Sequence, residues 1–280
     1  VEQLLIVMVG MVDTIMISPC GEAAVSGISL VDSINVLLTG MFSALATGGA
    51  VVAAQYLGHK EGDRACRAAD QLLLSVLAVS GILVVVSLIG NYGILRIIYR
   101  KIDADVMGNA RIYFYLSAVS YPFLAVYSAG TALFRAMGDS KISMKTSIVM
   151  NAINIAGNAV LLYIFELGVF GAALATLVSR IVAAVVVTKL LVDQKRQIHL
   201  HPNLKLGFYP EMIRRILRIG IPNGLESSIF QIGKLMVAGL VSGFGTTAIT
   251  ANAVANTICS FEVIPGNAIG LAMITIVGQC

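Results

Sequence analysis

The sequence is short of charge, has no tryptophan, and holds only three histidines and four scattered cysteines. Asp, Glu, Lys and Arg make up 12% of its 280 residues, against about 25% in a soluble domain. Hydrophobic residues reach 58%, and mean hydropathy is +0.89. A soluble globule of this length has too much surface for so few charges, so part of the solvent must be lipid. Missing tryptophan removes one interfacial anchor; nine tyrosines fill that role. Cys20, Cys66, Cys259 and Cys280 form no CxxC and no paired spacing, which argues against a disulfide framework or zinc site. His59, His199 and His201 lie in loops, without further ligands at zinc spacing. No phosphate-cradling Walker motif is present, which argues against ATP-driven pumping by this chain alone. Val1 begins inside an apolar run, with no basic n-region or cleavage motif. Cys280 also ends one, so truncation at both ends is expected.

What the sequence does have is long apolar runs. A hydrocarbon core about 30 Å thick needs about 20 apolar residues in a helix. Eight stretches qualify, at 1–18, 27–55, 67–91, 110–134, 144–165, 169–192, 217–242 and 247–278. They are too long for barrel strands and lack the alternation a barrel requires. The fold class is therefore an all-α membrane bundle. Polar clusters such as GHKEGDR (58–64) and MGDSK (137–141) punctuate the runs. The longest polar stretch, 193–215, reads as a linker between two bundles, part of it as an amphipathic surface helix.

Loop charge orients the bundle. Loops after spans two, four and six, including their margins, hold thirteen Lys and Arg, and those after the odd spans hold four. Even-numbered loops are thus expected in the cytoplasm, with the chain multi-pass in the plasma (inner) membrane. Shifting the chain by 224 residues lays GEAAVSGISLVDSI (21–34) on GTTAITANAVANTI (245–258), and puts Glu2 on Glu226 and Gln55 on Gln279. Spans one and two then correspond to seven and eight. The expected division is a six-helix N-terminal lobe (1–192), a cytoplasmic linker (193–215), and the first two helices of a second, repeated lobe (216–280). Such repeats are usual in secondary transporters.

Ionisable and amide side chains inside spans are costly and usually face an internal cavity. Asp13 sits within the first span, as a group that takes up a proton, holds sodium, or makes a structural hydrogen bond. Asn151, Asn154 and Asn158 fall on one face of span five. Such a stripe is either interhelical glue or a set of carbonyl ligands, and Thr176 in span six adds a hydroxyl. Asp32 and Asn35, three apart in span two, line a cavity or pair with another helix. Arg180, Glu226, Lys234 and Glu262 complete the cavity-lining candidates; a structural ion pair is the alternative for Lys234, eight residues from Glu226, and helix glue the alternative for Arg180. Glu262 precedes Ile264-Pro265-Gly266, which should bend or break span eight.

VGMVDTIMIS (9–18), LATGGAVVAAQYLGHKEGDRA (45–65), ALFRAMGDSK (132–141), NIAGNAVL (154–161), LGVFGAALAT (167–176) and RIGIPNGLESS (218–228) occur in that order. Together they resemble the multidrug and toxic compound extrusion (MATE) family of secondary antiporters, over nearly the whole chain. The resemblance implies twelve spans in two six-helix lobes, a central cleft, and export driven by inward sodium or proton movement. By motif, Asp13 is similar to the family's first-span acid, and Asn154, Asn158 and Thr176 match positions that join it in a cation site. Members often carry an acid where this chain has Asn158. Another branch uses an acid deeper in span seven, where Glu226 lies one turn earlier.

The reading that follows is a non-enzymatic, cation-coupled antiporter exporting organic cations or amphipathic drugs by alternating access. A lipid-linked precursor flippase of the same superfamily is the alternative; a membrane-embedded enzyme lacks clustered catalytic acids or histidines. No cofactor is expected, and no metal beyond sodium at the cation site. The expected partners are a small organic, cationic substrate and the bilayer, with no nucleic acid, and the expected state is a monomer.

Overall fold

The computed structural model describes residues 12, 15–98, 104–200 and 209–242, with scattered positions between 255 and 277. Among the described residues the regular structure is entirely helical. Span two is Glu22–Gly58, span three Gly62–Ile98 and span four Ala104–Ala136. Span five is Ser140–Asn158, continued as a π-helix over Ala159–Ile164. Span six is Gly168–Leu191, and span seven is Pro210–Ser242. In lipid no water can satisfy a bare backbone, so apolar runs close their own hydrogen bonds as helices. Spans two to six are long and apolar enough to cross a membrane. The first and eighth spans lie mostly outside the described residues, as does Asp13.

The helices outrun their apolar cores. Span two has 37 residues, about 55 Å at 1.5 Å per residue, and so projects beyond a hydrocarbon layer of about 30 Å. Span seven begins at Pro210, where a proline needs no helical donor. Residues 210–215, assigned by composition to the linker, are thus its first turns. The turns between spans end the helices sharply. After span two, Lys60 has φ 61°, and the amide of Glu61 donates to the Tyr56 carbonyl at 2.9 Å. After span four, Gly138 has φ 80°, and the amide of Asp139 donates to the Phe134 carbonyl at 2.9 Å. Both are left-handed caps that satisfy carbonyls at a helix end.

Span two packs against spans three, four and seven, and span four also against six. Phe42, Phe114, Tyr121 and Phe134 are fully buried at these contacts, and the rings of Phe42 and Tyr121 lie 6.3 Å apart. Span three turns Ile82, Val85 and Ile89 outward, Ile89 being 84% exposed; these apolar side chains suit a lipid-facing surface. Elsewhere small residues let backbones meet. A Cβ added to Gly48 would lie 2.6 Å from the Ile216 carbonyl oxygen and 2.8 Å from the Gly220 amide. Spans two and seven therefore cross there almost backbone to backbone. Ala46, Ala50, Ala54, Ala132 and Ala136 form a second small-residue cluster between spans two and four.

The loops after spans two, four and six meet at one end. Ile198 is fully buried in the linker, with Leu200 beside it 5% exposed. The Ile198 amide donates to Met137 Sδ at 3.3 Å, the His199 amide to Cys66 Sγ at 3.5 Å, and the Leu200 amide to the Leu191 carbonyl at 2.8 Å. Arg196 reaches Asp139 at 3.6 Å and stacks 5.2 Å from the centre of the Phe134 ring. This part of the linker is a packed clip across the helix ends.

Candidate functional site: a polar cavity between the spans

Spans two, four, five and six enclose a cavity of about 210 Å³, and Ile17 at the end of the first span lines it too. It draws its polar wall from Ser29, Asp32, Tyr113, Asn151, Asn154, Asn158, Thr176, Ser179 and Arg180. Six of these nine are candidates from the sequence. The reason is geometric: Asn151, Asn154 and Asn158 rise on one face of span five, and Thr176 and Arg180 stand one turn apart on span six.

Two hydrogen-bonded walls face this space. On one, Asn158 Nδ2 donates to Asn154 Oδ1 at 3.3 Å, Asn154 Nδ2 to Thr176 Oγ1 at 3.2 Å, and Thr176 Oγ1 to the Ala172 carbonyl at 3.0 Å. Asn154 is 6% exposed and Asn158 2%. The amides thus act as glue between spans five and six along one side of the cavity. Asn151 Nδ2 is buried there with no hydrogen-bond partner among the described residues. The α-helix of span five passes into its π-helical stretch directly after Asn158, and such stretches often mark functional sites.

On the other wall, Asp32 Oδ1 accepts from Tyr113 OH at 3.2 Å and from Asn35 Nδ2 at 3.2 Å; Asn35 itself does not line the cavity but pairs span two with span four behind it. Tyr121 OH donates to Asn35 Oδ1 at 3.0 Å, and Asn35 Nδ2 reaches Ser117 Oγ at 3.5 Å. Arg180 Nη1 donates to Ser120 Oγ at 2.6 Å, which ties span six to span four. Spans two, four and six are thereby linked around one carboxylate and one guanidinium. Tyr163, past Asn158, donates to the Met16 carbonyl at 3.2 Å and ties span five to the first.

The arrangement offers oxygen ligands of two kinds, a carboxylate and neutral amide or hydroxyl oxygens, which suit hard cations. It also holds a fixed positive charge in Arg180. Asp13 lies outside the described residues, although Ile17, four residues later, lines the cavity. Glu226 and Lys234 are not on this cavity. Both are exposed on span seven, and Lys234 sits 5.0 Å from the centre of the Phe230 ring. Their eight-residue spacing fixed a side of the helix but not where that side points. Glu262 is helical and exposed, and so are residues 265–270, while residue 264 between them lies outside the described set. Tyr113, Ser117, Ser120, Tyr121 and Ser179 were not singled out in the sequence. Serine and tyrosine are common in spans, and only the pairing of helices gives these their partners.

Fold and cavity together define a multi-pass membrane protein with a polar site inside a helical bundle. The MatE family model matches residues 1–160, and the chain belongs to that family, the one its motifs resemble. The uncharacterized transporter YisQ of Bacillus subtilis is 26% identical over 286 residues, covering 100% of this chain and 62% of the relative. The probable multidrug resistance protein NorM of Thermotoga maritima is 25% identical over 288 residues, covering 99% of this chain and 60% of the relative. The crystal structure of MATE in the bent conformation superposes with a TM-score of 0.90 at 18% identity, covering 99% of this chain and 62% of that chain. The fold is therefore that of MATE transporters. The chain spans about three fifths of the length of the curated relatives it matches, and those relatives are named as transporters or resistance proteins rather than enzymes.

Proposed function

We propose that the complete protein is a cation-coupled antiporter, driven by sodium or protons, that exports organic cations or amphipathic drugs by alternating access. The observation that carries this reading is the convergence of Asp32, Asn154, Asn158, Thr176 and Arg180 on one cavity inside the bundle. Polar and charged groups in a membrane interior are costly, and they mark ion and substrate pathways. The relatives named for multidrug resistance support the cargo class.

In this reading Asp13, Asn154, Asn158 and Thr176 form the cation site. An entering proton or sodium ion neutralises the carboxylate, binds one of the inward- and outward-facing states more tightly, and shifts the equilibrium between them. The amide bond from Asn158 to Asn154 opens to free oxygens for a sodium ion, while a proton needs only the carboxylate. The six-helix lobe is residues 1–192 and the second lobe starts at 216. The clipped even-numbered loops face the cytoplasm, the chain sits in the inner membrane, and it acts as a monomer on small organic substrates. The lipid-linked precursor flippase has no observation of its own in its favour.

The test is efflux by the complete protein in proteoliposomes, with sodium and pH gradients imposed separately. Asp13→Asn is expected to abolish gradient-driven efflux at unchanged expression. Efflux equal to wild type would overturn the assignment of Asp13.

A further inference from the structure

At the clipped end, away from the polar cavity, spans two, three and seven line a second, half-open cavity of about 290 Å³. Its wall carries Tyr56, Arg64, Arg67, Tyr209, Glu211 and Arg215. Three guanidinium groups from two elements far apart in sequence therefore face one space. Arg64 is engaged with Glu61 at 2.9 Å. Among the described residues Arg67 and Arg215 have no carboxylate within ion-pair distance.

Aromatic groups hold these two arginines in place. Arg215 Nη1 donates to Tyr56 OH at 3.0 Å, and Arg67 lies 5.9 Å from the centre of the Tyr209 ring. Tyr209 is itself anchored, its amide donating at 3.2 Å to Gln71 Oε1, a side chain only 2% exposed. Both guanidinium groups keep free N–H donors in a fixed fork, the geometry that fits a phosphate. Glu211 lowers the net charge without pairing with either arginine.

The cavity also lies where a lipid head would be. It sits at the loop ends of three long helices and is lined by two tyrosines, a residue type that favours membrane interfaces. Leu74 and Ala78 lie two and three helical turns from Arg67 on the same face of span three, the first half-buried and the second exposed. A phosphate held by Arg67 thus has an apolar, bilayer-facing surface directly beneath it. A soluble phosphate has no use for that surface, whereas acyl chains do.

We propose that this cavity binds the phosphate headgroup of an anionic phospholipid, with Arg67 and Arg215 as its ligands. Its walls come from spans two and three on one side and span seven on the other, so the lipid fastens the start of the second lobe to the first. This inference stands on the cavity alone and does not depend on the transport reading.

Native mass spectrometry of the complete protein, titrated with phosphatidylglycerol and with phosphatidylcholine of equal chain length, tests it. Phosphatidylglycerol is expected to be retained in preference. Arg67→Gln and Arg215→Gln are each expected to weaken it about fivefold, from the surface attraction of one basic residue. Arg96→Gln, at the opposite end of span three and likewise stacked on a tyrosine, is expected to leave it unchanged. Equal retention of the two lipids by the unaltered protein would overturn the proposal, whatever the variants do. Equal weakening by Arg96→Gln would reduce it to a general charge effect and overturn it. Inorganic phosphate that displaces the lipid at similar concentration would make this a soluble-anion site and overturn the lipid assignment.

Discussion

Around Asp32 the helices meet through hydrogen bonds, and around Gly48 they meet because side chains are missing. At the first place Asn35, Tyr113, Tyr121, Ser120 and Arg180 bridge spans two, four and six through bonds of 2.6–3.2 Å. At the second, a hypothetical Cβ would be 2.6–3.0 Å from the backbone of Ile216 and Gly220. The two modes differ in what they tolerate. A hydrogen bond between membrane helices is worth on average about 0.6 kcal/mol and can exchange for another. A backbone-to-backbone crossing has no flexible atom to give way. The dry crossing therefore suits a fixed joint, and the polar cavity suits groups that must change partners as an ion or proton comes and goes.

The largest break in this contrast should come from the dry side. Gly48→Leu is expected to destabilise the complete protein by about 3 kcal/mol or more, because overpacking here meets main chain, and thermal unfolding in detergent measures it. Asp32 comes next. Asp32→Leu removes the acceptor shared by Asn35 and Tyr113 and should cost about 1–3 kcal/mol. Asp32→Asn keeps an acceptor oxygen and should recover most of that loss in the same assay. Gly130 is the sharper case. A Cβ there would run into Val187 Cγ1, a side-chain atom. Gly130→Ala should therefore cost less than Gly48→Ala, about 1–2 kcal/mol, and Val187→Ala should relieve it. Relief by Val187→Ala to no degree would show that the backbone, not the side chain, sets the fit.

Much of this was legible in the sequence, for identifiable reasons. Helices followed from runs too apolar and too long for anything else. Their ends did not, because Gly62 to Cys66 and Pro210 to Ile216 are helical yet mostly polar, and lie outside the apolar runs. The linker looked like open polar chain, but Ile198 and Leu200 are buried, two apolar residues too few to stand out among charges. Within the site, Asp32, Asn154, Asn158, Thr176 and Arg180 stood out because a polar group in an apolar run needs a reason. Tyr121 and Ser120 gave no such signal, since their meaning lies in partners 86 and 60 residues away. Glu226 and Lys234 gave the same signal as Asp32 and lie elsewhere, because periodicity orients a side chain about its own helix and says nothing of what that helix faces.

The central claim is that ion coupling resides in the cavity among spans two, four, five and six rather than on the exposed face of span seven. Gradient-driven efflux by the complete protein in proteoliposomes tests it most directly, comparing Thr176→Val with Lys234→Gln after both are shown to unfold near the wild-type temperature. Thr176→Val removes one hydroxyl from the amide wall, a stability change of about 0.6 kcal/mol. The account predicts that its efflux no longer responds to either imposed gradient while Lys234→Gln responds like wild type. A Thr176→Val protein with full ion dependence, beside a Lys234→Gln protein that has lost it, would contradict the account.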